Sequence, residues 1–154
     1  MNERMRGALF NALGSLSGKT VLDAFAGSGA LSFEAVSRGA ASALAIERDK
    51  RAQQSVEKNI SLLGLTGQVS LVRSSANSWS DNHADARFDI IFCDPPYNDL
   101  QLSTVEKLVR HLKDNGLMVL SYPGRESAPT VNGVVVVDNS WYGNAALAYY
   151  RKAA

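Results

Sequence analysis

The sequence predicts an α/β fold: a doubly wound, Rossmann-like sheet, mostly parallel, with an antiparallel last strand. Three observations point to it. Short apolar runs alternate with amphipathic segments along the chain. Most of those runs are continuously apolar, as strands covered on both faces must be. Only a turn separates the last two runs, so they must pair antiparallel.

Residues 2–14 carry Met5, Ala8, Leu9, Phe10, Ala12 and Leu13 near helical spacing, and Gly18 with Lys19 marks the break before a strand. T-V-L-D-A-F at 20–25 is that strand, and it ends in glycine-rich sequence. Residues 29–39 repeat apolar groups at Leu31, Phe33, Ala35 and Val36, with Gly39 as a C-terminal stop. S-A-L-A-I-E at 42–47 is the next strand, a helix follows from Lys50 to Leu63 before Gly64, and Q-V-S-L-V-R at 68–73 alternates as a strand does. A polar connection then leads to the strand Phe88 to Cys93. A helix from Leu102 to Lys113 stops near Asn115 and Gly116, ahead of the strand L-M-V-L-S-Y. V-V-V-V-D and A-L-A-Y-Y-R close the chain, with N-S-W-Y-G-N-A predicted to be the turn between them.

The 154 residues are 45% hydrophobic and 20% charged, which fits one domain over 1–154 with its own core. Cys93 is the lone cysteine, so no intramolecular disulfide forms, and its apolar surroundings mark it as core. The N-terminus has no secretory signature and no stretch has the length of a membrane span, so a cytoplasmic protein without membrane association is expected. Sixteen Lys and Arg against fifteen Asp and Glu give a net charge of +1, so bulk charge does not announce a nucleic-acid binder, and local patches stay open. His83 and His111 lack the spacing of a metal site, and none is expected.

Two segments carry the chemistry. In V-L-D-A-F-A-G-S-G-A-L the first strand ends at Asp23 and turns through Gly27, Ser28 and Gly29 into a helix, the geometry with which doubly wound sheets let a ligand approach the backbone. Glu47 ends the second strand about twenty residues later, where a carboxylate can accept from both hydroxyls of an adenosine ribose. Such an acid serves NAD and S-adenosylmethionine alike. Asp23 favours the second, because a carboxylate at this turn repels a diphosphate but helps hold a cationic amino-acid end.

The other segment is the abrupt corner Asp94, Pro95, Pro96, Tyr97 after the fourth strand. A carboxylate and a backbone carbonyl can accept the two N–H groups of a base's exocyclic amine and aim the nitrogen lone pair at a methyl donor. The prolines stiffen the segment and remove two backbone donors. Tyr97 offers a face for the base, and base–aromatic stacking is worth roughly 1–3 kcal/mol.

With these residues and E-R-M-R-G-A-L-F-N-A-L, S-F-E-A-V-S-R-G-A and W-Y-G-N-A-A-L-A-Y-Y, the chain resembles the RsmD-type methyltransferases along nearly its whole length. These bacterial enzymes methylate N2 of a guanine in 16S ribosomal RNA. The resemblance implies a class I methyltransferase sheet, S-adenosylmethionine as cofactor, and ribosomal RNA or the small ribosomal subunit as partner to a monomer. Asp94 to Tyr97 would be catalytic. Asp23, Phe25, Gly27, Ser28, Gly29, Glu47, Arg48 and Asp94 would surround the cofactor, with Phe10 and Asn11 as further candidates to pack over it. The family's acid after the third strand is replaced by Ser75 and Ala76, so adenine contact falls to the Ser75 hydroxyl or to backbone groups. The family's basic hairpin segment ahead of the first helix is expected to be lacking.

Three rival functions follow from the same residues. They are an N6-adenine or N4-cytosine methyltransferase, which shares the D-P-P-Y corner, an NAD-dependent oxidoreductase, and a non-catalytic RNA-binding protein.

Overall fold

In the computed structural model, which describes residues 1–124 and 126–153, seven strands form one sheet in the order β3-β2-β1-β4-β5-β7-β6. They are β1 (Thr20–Asp23), β2 (Ser42–Glu47), β3 (Val69–Arg73), β4 (Phe88–Cys93), β5 (Leu112–Pro123), β6 (Val135–Tyr142) and β7 (Ala145–Arg151). β7 runs antiparallel to both its neighbours, and the pairs from β3 across to β5 are parallel.

The strand order reverses between β1 and β4. Leu22 of β1 sits beside Leu44 on one side and Ile91 on the other, so the chain leaves β1 in one direction and returns for β4 in the opposite one. Loops at the C-terminal ends of these strands therefore diverge and leave a crevice, the usual ligand position in open α/β sheets.

Alternate residues of each strand feed two cores. Val21, Ala45, Phe92, Val119 and Leu147 face helices α1 (Glu3–Leu13), α2 (Ala30–Ser37) and α3 (Lys50–Leu62). Leu22, Ile46, Ile91, Cys93, Leu120 and Ala148 face α4 (Ala76–Asn82) and α5 (Leu102–Leu108). α1 starts where the Asn2 side chain accepts from the Met5 N–H at 2.8 Å, a cap that satisfies one orphan donor. Phe10 is fully buried with its ring edge-on to Phe92 at 5.7 Å.

Four local expectations need correction. The polar connection before β4 contains helix α4, because Ser75 caps it by accepting from the Ser78 N–H at 3.1 Å and Ala76, Trp79 and Ser80 bury one face. His111 fastens that face: its Nδ1 lies 2.8 Å from the Ala86 carbonyl and so carries the proton, leaving Nε2 to accept from the Ser80 hydroxyl at 2.7 Å. The expected helix to Lys113 ends at Leu108 with a 3-10 turn over Val109–His111, and Lys113 instead lies in β5 and donates to Asp89. β6 runs through the segment predicted as a turn, so the hairpin closes at Gly143 and Asn144, with Gly143 in the left-handed region. Phe10 and Asn11 do not reach the crevice, since Phe10 is core and Asn11 is exposed.

Candidate active site

A cleft of about 390 Å³ opens at the C-terminal ends of β1, β2, β3 and β4, a size within the range of small-molecule sites. The glycine turn supplies Phe25 and Gly27, and β2 supplies Glu47 and Arg48. The end of β3 supplies Ser75 and Ala76, and the corner after β4 supplies Asp94, Pro95, Pro96 and Tyr97. Residues separated by seventy positions in sequence thus share one wall because parallel strands deliver all their C-termini to one edge.

Glu47 is the organiser. One carboxylate oxygen accepts from the Gly27 N–H at 2.8 Å and the other from the Asp49 N–H at 2.8 Å. These bonds fix the carboxylate between the glycine turn and the start of α3, and its remaining lone pairs point to no other protein donor among the described residues. Each carboxylate oxygen can accept more than one bond, so the group fits a pair of ribose hydroxyls.

The two glycines of the turn do different work. Gly27, at φ +55, has open space where a Cβ would stand, and it lines the cleft. Gly29, at φ +83, lines no part of it; a Cβ there would lie 2.9 Å from the Phe33 ring and 3.2 Å from Val56. One glycine leaves room for a ligand and the other lets α2 pack.

Asp23 lies under the turn and not on the cleft wall. It is 1% exposed, one oxygen accepts from the Ser32 hydroxyl at 2.7 Å, and Oδ1 has no partner among the described residues. Burial raises its pKa to about 7, with the Ser32 hydrogen bond opposing the rise and the Asp94 charge adding to it. Ser28 borders a smaller cavity beside the cleft.

At the corner, Asp94 Oδ2 accepts from the Met1 ammonium at 2.9 Å, and the carboxylate side chain is 19% exposed. The Pro96 carbonyl accepts from the Asp99 N–H at 3.0 Å, whereas the Pro95 carbonyl has no partner among the described residues. Tyr97 is 43% exposed, so its ring faces solvent at the mouth. Cys93 is buried directly beneath, and burial pushes its thiol pKa far above the ordinary range, so it offers no nucleophile.

Met1, Ala24, Ile46, Ser74 and Gln101 also line the cleft and were not anticipated. Gln101 is the informative omission. It sits at φ +50 and caps α5 with its backbone in the left-handed region, a strained state often found at functional sites. No sequence signal marks such a position for glutamine.

A seven-stranded sheet with only β7 reversed and an acid fixed over a glycine turn, together with the D-P-P-Y corner on the same cleft, defines an S-adenosylmethionine-dependent methyltransferase of class I. Residues 1–151 match the family described as Conserved hypothetical protein 95. The chain belongs to that family, the RsmD-type methyltransferases that its sequence resembles. It is 34% identical to the Ribosomal RNA small subunit methyltransferase D of Escherichia coli K12, over 90% of this chain and 68% of that protein. The protein of the same name from Buchnera aphidicola (Baizongia pistaciae) is 34% identical over 89% of this chain and 69% of its own length. A solved Streptococcus pyogenes structure described as a conserved hypothetical protein superposes with a TM-score of 0.85 at 31% identity, covering 96% of this chain and 94% of that one.

Proposed function

We propose that this protein, acting as a single domain, transfers a methyl group from S-adenosylmethionine to N2 of a guanine in small-subunit ribosomal RNA. The observation that carries the proposal is the shared cleft: the Asp94–Tyr97 corner and the Gly27–Glu47 unit line the same space. The names of the relatives support ribosomal RNA as the substrate class, and the family resemblance supports N2 of guanine.

When bound, the cofactor supplies a methyl group activated by a sulfonium. The chain's own residues then do three things. Glu47, held by two backbone donors, accepts from the ribose hydroxyls, and Ser75 with Ala76 borders the adenine. Gly27 admits the ligand against the backbone, with Phe25, Ser28 and Arg48 beside it, while Asp23 and Gly29 keep the turn in shape from below.

Asp94 and the unpartnered Pro95 carbonyl accept the two N–H groups of the target amine. That fixes the nitrogen and orients its lone pair. The Asp94 carboxylate is placed to receive the proton lost on transfer, or to pass it to water. The exposed Tyr97 ring stacks on the base, which must leave its own stack to reach the mouth.

Incubation with labelled S-adenosylmethionine and small ribosomal subunits from cells lacking the modification should place label in N2-methylguanine. Label found solely in methyladenine or methylcytosine would overturn the N2 assignment, and binding of NAD without affinity for S-adenosylhomocysteine would overturn the transferase reading.

A further inference from the structure

Gln101 lines the cleft together with the Asp94–Tyr97 corner but takes no part in holding the target amine. It belongs to the same stretch of chain, and two bonds brace that stretch: the Asp99 N–H donates to the Pro96 carbonyl at 3.0 Å, and the Gln101 N–H donates to Asp99 Oδ1 at 3.3 Å. The Gln101 carbonyl accepts from the Val105 N–H at 3.0 Å, which opens α5. The backbone is thus committed, whereas the carboxamide of this half-buried residue has no hydrogen bond with any described residue. By contrast, the Ser74 hydroxyl donates to the Ser75 carbonyl and the Ser75 hydroxyl caps α4, each at 3.1 Å. At φ +50 and ψ +47 glutamine occupies the left-handed region at a cost that glycine would avoid, so the local backbone gives no reason for this side chain.

The chemistry of the bases gives one. With the exocyclic amine held by Asp94 and the Pro95 carbonyl, what remains of the edge differs from base to base. Beside N2, guanine presents the N1–H donor and then the O6 acceptor. Beside N6, adenine presents the N1 acceptor and then a C2–H. Beside N4, cytosine presents the N3 acceptor and then the O2 acceptor. A carboxamide carries an acceptor and a donor side by side, so it meets guanine twice: its oxygen accepts from N1–H and its NH2 group donates to O6. On the other two bases only the NH2 group finds a partner, and the oxygen is left facing a C–H or a second acceptor. An unpaired polar group in a closed site is what rejects the wrong ligand.

We propose that Gln101 selects guanine, reading its N1–H and O6 while the corner holds N2. This rests on N2 of guanine being the target, which mapping of the methylated base with wild type tests first. Label outside guanine overturns both readings, whereas label in N2-methylguanine leaves the role of Gln101 to stand or fall by itself.

The test compares methyl transfer into small subunits reconstituted with RNA that carries either guanine or 2-aminopurine at the mapped position. 2-Aminopurine keeps the N2 amine and lacks both N1–H and O6. Wild type should favour guanine by about 10- to 100-fold in kcat/KM, the discrimination that a bidentate amide contact supplies. Gln101→Gly removes the carboxamide and suits the positive φ, so the variant keeps the fold. Its kcat/KM on guanine should fall to near that on 2-aminopurine, where it should match wild type. Its affinity for S-adenosylhomocysteine, measured by calorimetry, should not change. Wild type indifferent to the change of base, or a variant that keeps the guanine preference, overturns the proposal. An equal loss on both bases overturns it as well, since a general support of the corner would give that result. Weakened S-adenosylhomocysteine binding with the guanine preference intact places the carboxamide on the cofactor's adenine and overturns it too.

Discussion

Asp23 ends β1 and Asp94 directly follows the end of the adjacent β4, and burial separates their roles. Asp23 is closed under the glycine turn, with Ser32 as its hydrogen-bond partner and a pKa raised to about 7. Asp94 stands on the cleft wall, carried out of the core by the two prolines. A carboxylate at a strand end is therefore not a site by itself; what matters is whether the following backbone folds over it or turns away. The sharpest way to break this contrast is Asp94→Ala. Removing one preorganised polar group from a reacting centre costs about 10²- to 10³-fold in rate, and that loss is expected in methyl transfer, with S-adenosylhomocysteine affinity nearly unchanged. An equal loss in Asp23→Asn, measured in the same transfer assay below pH 7, would erase the distinction.

Asp23 should instead reveal itself through stability. Its pKa rises from 3.8 in the unfolded chain to about 7 in the folded one, because burial penalises the charge. Between those values the unfolded chain has released the proton and the folded chain has kept it. The stabilising contribution is thus complete below pH 4, declines as pH rises, and is gone above about 7. Asparagine cannot ionise, yet it can still accept from the Ser32 hydroxyl. Asp23→Asn should be more stable than wild type at pH 8 by at most about 4 kcal/mol, with the difference shrinking toward pH 4. Thermal unfolding across that range checks it, and parallel curves for the two proteins would show that Asp23 does not titrate as its burial requires.

The same contrast explains what could be read from the sequence. Strand ends were legible because continuous apolar runs stop at Asp23, Glu47 and Cys93, and a parallel sheet must bring those stops to one edge. The pocket's acids and glycines followed from that edge. Burial did not: nothing in D-A-F-A-G-S-G tells that Ser32 folds back to close Asp23, because the closure depends on α2 docking. α4 was hidden for a related reason. Its polar residues carry no visible period, and the helix is fixed by one Ser75 cap and by contacts of Ser80 and Trp79 with His111, thirty or more residues away. Gln101 enters the site through the way helix α5 is placed, so composition and spacing are silent about it.

The smallest effects test the turn that covers Asp23. Gly27 and Gly29 both hold positive φ, so alanine at either position is strained by about 1 kcal/mol. Beyond that cost their surroundings differ. An alanine methyl at Gly27 would project into open space on the cleft wall, while one at Gly29 would press on the Phe33 ring, whose displacement disturbs its packing against the first core. Gly29→Ala should therefore lose about 2 kcal/mol of stability in denaturant unfolding. Its affinity for S-adenosylhomocysteine should change less than that of Gly27→Ala, which should lose affinity while remaining the more stable of the two. The reverse ordering would mean that Gly29 is the residue against which the ligand rests. The turn would then shield Asp23 from a differently seated cofactor, and the division between the buried and the working carboxylate would have to be redrawn.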